Sequence, residues 1–135
     1  MVLPAEPVEA IPDLTQGPAL RAIAMPGDTN PNGDIFGGWL LAQMDLAGGT
    51  VAWQRAKGRV ATVGVEAMTF HKPVFVGDEV SCYARILRVG RSSIRVQIDT
   101  WVRRFRTGEP IKVTEGVFTF VAIDERGEPR PVPPE

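Results

Sequence analysis

The chain is 135 residues long, 44% of its residues are apolar, and 15 basic side chains nearly balance 16 acidic ones to give a net charge of -1. This length suits one domain with a single core, and the near-neutral charge provides no basic stripe of the kind that binds nucleic acid. A single cysteine excludes an internal disulfide. Neither a membrane-spanning apolar run nor a secretory signal pattern is visible. We therefore expect a cytoplasmic protein that binds no nucleic acid or membrane.

Both ends of the sequence are rich in proline and charge and show neither helical nor strand periodicity. We predict a flexible N-terminal tail over residues 1–18 and a flexible C-terminal tail over residues 125–135. Because no internal repeat is visible between them, residues 19–124 are predicted to form one folded domain.

The predicted elements begin with a short apolar strand over residues 19–25, which ends at Pro26 and Gly27 and is followed by a loop rich in Asn, Asp and Gly. Residues 39–57 contain good helix formers and no proline, and Gly58 follows them as a natural helix stop. This segment is the only convincing helix in the sequence.

Strand-like alternation dominates the rest of the sequence. Apolar and polar side chains alternate in SIRVQIDTWV, residues 93–102, and similar runs occupy residues 60–70, 80–87 and 117–123. This order predicts an α+β fold in which a five-stranded antiparallel sheet wraps one long helix, with the last four strands paired as a meander. One helix cannot cover both faces of such a sheet, so we expect a second subunit to cover the apolar surface of the sheet that the helix leaves exposed.

Asp45 is the only ionisable side chain between Asp34 and Arg55, and it lies within the predicted helix. Its neighbours three and four residues away are small or apolar, so none of them can neutralise its charge. Burial of an unpaired carboxylate is costly, so Asp45 must accept hydrogen bonds, become protonated or face a water-containing pocket. Each outcome suits a catalytic base; the alternative is a helix edge that meets solvent or polar groups of another subunit.

Gly37 and Gly38 precede the helix, where the first backbone N–H groups have no intrahelical acceptor and the helix dipole favours negative charge. These donors could stabilise the oxyanion that forms when a carbonyl is attacked; the alternative is a flexible turn. Gly38 and Asp45 are about 10 Å apart along the helix axis, so we expect an active site shared by two subunits. A second pair, Gly48 and Gly49, is better explained by close helix packing than by a ligand.

Three stretches of sequence together resemble the hotdog-fold acyl-CoA thioesterases, specifically the small bacterial YciA-like group. They are NGDIFGGWLLAQMDLAGG (residues 32–49), GRVATVGVEAMTFHKPVFVGD (residues 58–78) and VGRSSIRVQIDTWVRR (residues 89–104). The similarity extends over about residues 20–124. The resemblance implies a hotdog fold, subunits that join their sheets edge to edge in dimers, commonly a trimer of such dimers, and hydrolysis of acyl-CoA to a free acid and CoA.

The resemblance also implies roles for individual residues. The helix acid Asp45 corresponds to the family's general base or nucleophile, and the N–H of Gly37 or Gly38 corresponds to the group that polarises the thioester carbonyl. A polar loop residue ahead of the glycines, Asn in some relatives, falls on Asp34. Phe36 stands where some relatives carry a histidine, so no imidazole can act at that position.

If the resemblance holds, CoA is part of the substrate and no further cofactor or metal is expected. Basic and hydroxyl side chains at loop edges are suited to the phosphates of CoA. The candidates, which could instead be ordinary solvated turn residues, are Arg91, Ser92, Ser93, Asn32, Lys72 and Arg59.

The remaining candidate residues favour structural roles. His71, the only histidine, has no adjacent Ser or Asp that would indicate a catalytic triad. Cys82 alternates with apolar residues as a core side chain would, and one His with one Cys makes a tetrahedral zinc site difficult to assemble. Glu66 is expected to form a hydrogen bond across subunits, with a catalytic role as the alternative. Packing in the core or the interface, with an acyl tunnel as the alternative, is expected of Trp39, Trp53 and Trp101.

We therefore predict an acyl-CoA thioesterase in which Asp45 activates water or attacks the thioester directly. The alternatives are a non-catalytic acyl-CoA-binding or regulatory hotdog module and a hotdog hydratase. No DNA-binding segment accompanies the domain, which disfavours a regulator, and the usual histidine base of a hydratase has no obvious counterpart.

Overall fold

The computed structural model describes residues 17–106 and 108–135. Nearly all of the predicted N-terminal tail, residues 1–16, lies outside the described residues. The elements in chain order are β1 (Leu20–Ile23), α1 (Gly37–Ala56), β2 (Val60–Phe70), β3 (Glu79–Val89), β4 (Ser93–Arg103) and β5 (Ile111–Ala122), with 3₁₀ turns at Pro26–Asp28 and Arg104–Arg106. No helix in the described part of the chain is both long and apolar enough to cross a membrane.

The five strands form one antiparallel sheet in the order β1-β3-β4-β5-β2. The predicted fold class, one long helix against a five-stranded antiparallel sheet, is confirmed. The predicted meander is wrong for β2, which pairs with β5 so that Val60 lies opposite Ala122. The physical reason is the connection between β2 and β3, residues 71–78, which is too long for a tight hairpin and carries the chain past β5 and β4.

Helix α1 packs against one face of the sheet. The alternating inward residues of β4, including Ile94, Val96 and Ile98, are fully buried there, as the sequence pattern predicts. A Cβ added to Gly48 of α1 would lie 2.6 Å from Ile98 Cδ1 and 3.0 Å from the Phe120 ring. Close contact between helix and sheet therefore accounts for Gly48.

Strand β2 is an open edge of the sheet. No other strand of the described chain pairs with its outer side, and most of its side chains are exposed, including Val63 at 60% and Val65 at 44%. A β-bulge between Glu66 and Thr69, with Ala67 at φ 53°, interrupts its pairing with β5. An edge strand with exposed apolar side chains is suited to pairing with another chain.

A buried ion pair holds the connection between β2 and β3. Asp78 is 3% exposed, and its Oδ2 accepts hydrogen bonds from Arg104 Nη1 at 2.7 Å and from the Phe75 N–H at 2.9 Å. The Arg104 guanidinium also lies over the Phe75 ring, 4.6 Å from the ring centroid. Loss of the Arg104 charge would leave the buried Asp78 carboxylate without its partner, so this pair fastens residues 71–78 to the end of β4.

The predicted boundary at residue 124 needs correction, because the segment beyond it packs on the fold. Residues 124–135, named here the C-terminal strap, turn back towards the end of α1. The Val132 N–H donates to the Arg91 carbonyl at 2.7 Å, and Arg55 Nη1 donates to the Pro133 carbonyl at 2.5 Å. A proline-rich segment lacks helical or strand periodicity even when it has fixed partners, which is why the pattern indicated a tail.

Candidate active site

Asp45 lies in the middle of α1, on the side that faces β2. Its side chain is partly buried, and the Thr62 hydroxyl of β2 donates a hydrogen bond of 2.5 Å to Asp45 Oδ1. Within residues 17–106 and 108–135 no group donates a hydrogen bond to Oδ2, which leaves that oxygen available to a bound water. The helix carboxylate therefore has one fixed partner and one free oxygen.

A cleft of about 470 Å³ opens beside Asp45. Its lining is mostly apolar, with Val60 and Thr62 on the β2 side and Phe120 of β5 at the base. The helix contributes two rows of residues spaced four apart, and such rows run along one side of a helix. These rows are Asp45, Gly49, Trp53 and Leu46, Thr50, Gln54.

The start of α1 presents backbone donors. The N–H groups of Trp39 and Leu40 donate to the Phe36 carbonyl at 3.1 and 3.3 Å, whereas the N–H groups of Gly37 and Gly38 have no acceptor within the described part of the chain. Both glycines are exposed, and a Cβ added to Gly38 would meet no atom within 4 Å. Free donors at a helix N-terminus are suited to a negatively charged or polarised oxygen.

Gly37 lines a second cleft, of about 280 Å³. The opposite wall comes from the end of β2 and the connection that Asp78 and Arg104 hold, and it includes Phe70, His71 and Lys72. The helix start at Gly37 therefore lines a space different from the cleft beside Asp45.

The separation of the two clefts limits what one chain can do. Gly38 and Asp45 are about 10 Å apart along the axis at 1.5 Å per residue, whereas a general base and an oxyanion donor must each lie about 3 Å from the reacting group. The geometry therefore does not bring the predicted donor and the predicted base of one chain together. Asp34, the third catalytic candidate, is exposed in the loop before α1 and does not line the Asp45 cleft.

The loop before α1 is organised by Asn30, which sequence reasoning missed. Asn30 Oδ1 accepts hydrogen bonds from the N–H groups of Asn32 at 3.0 Å and Asp34 at 3.1 Å, and the Asn30 N–H donates to the Asp34 carbonyl at 2.7 Å. The available signal was an Asn placed ahead of Pro-Asn-Gly, since Asn side chains commonly bond to the backbone two residues on. This turn holds Asp34 and Asn32 near the helix start.

Four of the predicted CoA contacts lie at the other end of α1. Arg91 and Ser92 line a cleft of about 190 Å³ together with Arg130 and two prolines of the C-terminal strap. Ser93 begins β4, and the exposed Arg59 precedes β2, its carbonyl accepting a hydrogen bond of 3.4 Å from Arg130 Nη2. The other two candidates, Lys72 and Asn32, are near the helix start, so the predicted contacts form two separate groups.

His71 belongs to a chain of charged groups on the outer side of the sheet. His71 Nε2 is 3.5 Å from Glu115 Oε1, Lys112 donates a hydrogen bond to Glu115, and Lys112 Nζ is 3.5 Å from Asp99 Oδ1. Partial burial opposes ionisation of Glu115, but the hydrogen bond from Lys112 and the positive charges of Lys112 and protonated His71 outweigh it and lower the pKa of Glu115. The partner of His71 is thus a glutamate and not the Ser of a catalytic triad.

Cys82 and Glu66 have structural partners within one chain. Cys82 is buried, its Sγ is 3.5 Å from the Thr100 hydroxyl, and burial raises the pKa of its thiol to about 11. Glu66 accepts a hydrogen bond from Arg95 of β4; the hydrogen bond to a second subunit stays a prediction. In the described ranges no cluster of three or more His, Cys, Asp or Glu could hold a metal ion.

The three tryptophans differ in their surroundings. Trp101 is 9% exposed and Trp39 packs against the core, as predicted. Trp53 is 51% exposed and lines the Asp45 cleft, so it does not pack in the core of the single chain. Its other expected positions, the subunit interface and an acyl tunnel, stay predictions. Thr62, the hydrogen-bond partner of Asp45, was also missed. The alternation of β2 places Thr62 beside Val60, but no pattern in the sequence gives the register of β2 against α1.

Comparison with known families matches residues 32–104, more than half of the chain, to the Thioesterase superfamily. The Acyl-CoA thioester hydrolase YciA of Salmonella typhimurium is 53% identical over 117 residues, which cover 84% of this chain and 88% of that protein.

Solved structures of similar proteins superimpose over most of the chain. A hexameric broad-specificity acyl-coenzyme A thioesterase, in the form of an Asp-to-Ala mutant, has a TM-score of 0.84 and 51% identity and covers 87% of each chain. A hexameric hotdog-fold thioesterase of Campylobacter jejuni has a TM-score of 0.82 and 40% identity and covers 87% of this chain and 90% of the other. The likeness therefore extends over most of this chain and most of each solved structure.

Proposed function

The chain belongs to the Thioesterase superfamily and has its hotdog fold, and we infer that it is an acyl-CoA thioesterase, which hydrolyses acyl-CoA to a free carboxylic acid and CoA. The observation that carries this function is the carboxylate of Asp45, which Thr62 holds beside a mostly apolar cleft. A carboxylate next to an apolar groove can activate water against a thioester whose acyl chain occupies that groove. The reaction requires no metal or added cofactor.

In the proposed mechanism Asp45 is the general base. With Oδ1 held by Thr62, Oδ2 accepts a proton from water as the water oxygen attacks the thioester carbonyl carbon. The C–S bond then breaks, its electron pair leaves with the CoA sulfur, and the proton on Asp45 passes to that thiolate. In the other route, Asp45 itself attacks the carbonyl carbon, the C–S bond breaks and the CoA thiolate leaves a mixed anhydride. If water then attacks the Asp45 carbonyl carbon, a single turnover in ¹⁸O-water leaves the label in Asp45 and none in the product acid, whereas general base catalysis labels only the product.

The N–H groups of Gly37 and Gly38 are proposed to bind the carbonyl oxygen of the thioester. They are free, exposed and at the positive end of the helix dipole, so they are suited to the negative charge that develops on this oxygen during attack. Removal of one such donor typically costs about 10²–10³-fold in kcat. Asp34, held beside the helix start by Asn30, is proposed to orient the water or the thioester there.

Two subunits are proposed to form each active site. Gly38 and Asp45 of one chain are too far apart to act on one carbonyl, and the open edge of β2, which carries Thr62, exposes apolar side chains suited to a second copy. Pairing of β2 with its counterpart would bring the helix start of one chain towards Asp45 of the other. Because the structural relatives described above are hexameric, a trimer of such dimers is the assembly we propose for this chain.

The six predicted CoA contacts are proposed to bind two different parts of the CoA moiety. Lys72 and Asn32 lie near the free amides of the helix start and are assigned to the part of CoA next to the thioester. Basic and hydroxyl groups at the far end of α1 are assigned to the phosphates, because they combine positive charge with hydrogen-bond donors. These residues are Arg59, Arg91, Ser92 and Ser93.

Release of free thiol from acyl-CoA tests the function directly. The protein should release CoA from acyl-CoA esters, as read with a chromogenic disulfide reagent. Cys82 will not contribute to this signal, because it is buried and its pKa is raised to about 11. Binding of acyl-CoA without any release of thiol would instead identify a non-catalytic binding module and would overturn the proposed function.

A further inference from the structure

The wall of the Asp45 cleft has a gap on its helix side. Asp45, Gly49 and Trp53 follow one another at intervals of four residues and all line this cleft. At 1.5 Å per residue, the row is about 12 Å long. Its middle position carries no side chain, so no side chain of this row occupies the groove between the carboxylate and the indole.

Neither backbone geometry nor packing requires a glycine at position 49. Its φ is not in the left-handed region, and an added Cβ would lie 3.7 Å from Phe120 Cε1, which is an ordinary contact. Gly48 differs, since its added Cβ would collide with Ile98 at 2.6 Å. A glycine in a helix interior costs about 1 kcal/mol relative to alanine, and at position 49 the fold gains no closer packing in return.

The groove is suited to an apolar chain that begins at Asp45. The residues that line it include no Lys or Arg, so the phosphates of CoA have no counter-charge there. Its far end is formed by Trp53, half of whose surface is exposed. An acyl chain whose thioester carbon lies next to Asp45 would run past Gly49 within about 6 Å, four residues along the helix.

We propose that the groove holds the acyl chain of the substrate and that the missing side chain at Gly49 determines how long a chain is accepted. This inference rests on the proposed thioesterase function and deepens it. Acetyl groups end before position 49, whereas octanoyl and longer chains must pass it. A side chain at this position therefore discriminates against long substrates.

The test is a series of variants, Gly49→Ala, Gly49→Val and Gly49→Leu, assayed for kcat/KM with acetyl-, butyryl-, octanoyl- and dodecanoyl-CoA. We expect the ratio of kcat/KM for octanoyl-CoA to kcat/KM for acetyl-CoA to fall in the order Ala, Val, Leu. The fall should be about tenfold or more for Leu, since one methylene in an apolar pocket changes kcat/KM by about 10- to 200-fold. Gly49→Ala removes the helix penalty of glycine and should fold even if the larger variants do not. The matched control is Ala42→Leu, an exposed position of α1 outside the cleft, for which the ratio should not change.

Two results would overturn the inference while leaving the thioesterase function intact. One is an equal loss, or no loss, at every chain length in the Gly49 series. The other is a changed oligomer mass on size exclusion with an unchanged ratio, which would identify the groove as a contact between subunits. Failure of the wild-type protein to release CoA from any of the four esters would instead refute the proposed function, and the inference with it.

Discussion

Thr62 of β2 donates a hydrogen bond of 2.5 Å to Oδ1 of Asp45 in the middle of α1. The bond joins the open edge strand to the helix at the only ionisable group between Asp34 and Arg55. Because β2 is also an edge strand whose outer side has no partner in the described chain, a second subunit that pairs with β2 would influence the position of the proposed base. Catalysis and assembly are therefore expected to depend on the same strand.

Replacement of Asp45 by Asn should nearly abolish thiol release from acyl-CoA. The amide cannot accept the proton of the attacking water, and general base catalysis typically contributes about 10²–10⁴-fold. The measurement is kcat for a short acyl-CoA, with thermal unfolding to establish that the variant folds. The control is Asp124→Asn, because Asp124 only accepts backbone hydrogen bonds in the C-terminal strap and Asn can do the same. A folded Asp45→Asn variant with undiminished turnover would remove Asp45 from the mechanism.

Replacement of Thr62 by Val should lower kcat with little effect on the fold. Valine keeps the shape of threonine and loses the hydroxyl that holds Asp45 Oδ1, and a hydrogen bond to a charged group is worth about 1.5–3 kcal/mol. The expected loss is about 10- to 100-fold in kcat. Thr62→Ser, which retains a hydroxyl, should recover most of the activity. Equal activity of the Val and Ser variants would show that the hydrogen bond does not matter to turnover.

Mixed oligomers should reveal whether the active site is shared. Gly37→Pro removes one amide donor at the first helical position, where proline is tolerated, and Phe36 before it already has an extended ψ of 136°. We expect Gly37→Pro and Asp45→Asn to be inactive separately. Hybrids formed by refolding the two together should regain activity, because one site per dimer then combines an intact glycine with an intact Asp45.

The matched control for this experiment pairs Asp45→Asn with Thr62→Val. Asp45 and Thr62 act from the same chain, so every site in these hybrids carries one defect and activity should stay low. Absence of recovery in the first hybrid, despite demonstrated subunit mixing, would contradict a site built from two chains.

Adjacent glycines of α1 should respond to alanine in opposite directions. Gly48→Ala places a methyl group 2.6 Å from Ile98 Cδ1, and overpacking of this kind costs about 1–3 kcal/mol, which exceeds the gain in helix propensity. Gly49→Ala meets only an ordinary contact and should raise the free energy of unfolding by up to about 1 kcal/mol. Urea denaturation of the two variants measures the difference. Equal effects of the two substitutions would show that the helix does not approach the sheet as closely as described.

Stability should depend on pH through Glu115. Lys112 and His71 lower the pKa of Glu115 from its ordinary value of 4.5. A carboxyl whose pKa is depressed by folding stabilises the protein above its unfolded pKa and loses that contribution as the pH falls through the folded pKa. Glu115→Gln should therefore unfold more easily than the wild type near neutral pH, by no more than about 1 kcal/mol because the group is partly screened by solvent.

The difference between wild type and Glu115→Gln should shrink once the pH falls below 4.5, the ordinary pKa of the group. Urea denaturation at neutral and at acidic pH provides the comparison, and Glu125→Gln, at an exposed position, is the control. A difference that stays constant with pH would show that the charge of Glu115 makes no contribution to folding.

Local properties of the chain could be predicted from the sequence. The isolation of Asp45, the glycines at the helix start and the alternation of β4 depend on neighbours within a few residues, and the structure places all three as expected. Non-local properties could not be predicted in this way. The pairing of β2 with β5 and the Thr62–Asp45 hydrogen bond depend on register between distant segments, which hydrophobic periodicity does not encode.

The C-terminal strap illustrates a different limit of sequence reasoning. Its composition resembles that of a mobile tail, whereas hydrogen bonds with Arg55 and Arg91 fix its position on the fold. Trp53 is a similar case, because an aromatic side chain in an apolar helix is normally assigned to the core. Its exposure follows from the open edge of the sheet beside it, which the helix pattern alone does not reveal.

The order of the strands in the sheet has a consequence for biosynthesis. Because β2 pairs with β5 and not with β3, the strand that carries Thr62 leaves the ribosome long before its partner has been translated. Until residues 111–122 emerge, the apolar side of α1 has no complete sheet to cover it, and such exposed intermediates aggregate readily. The protein is therefore expected to acquire its cleft only late in translation, once β5 has paired with β2.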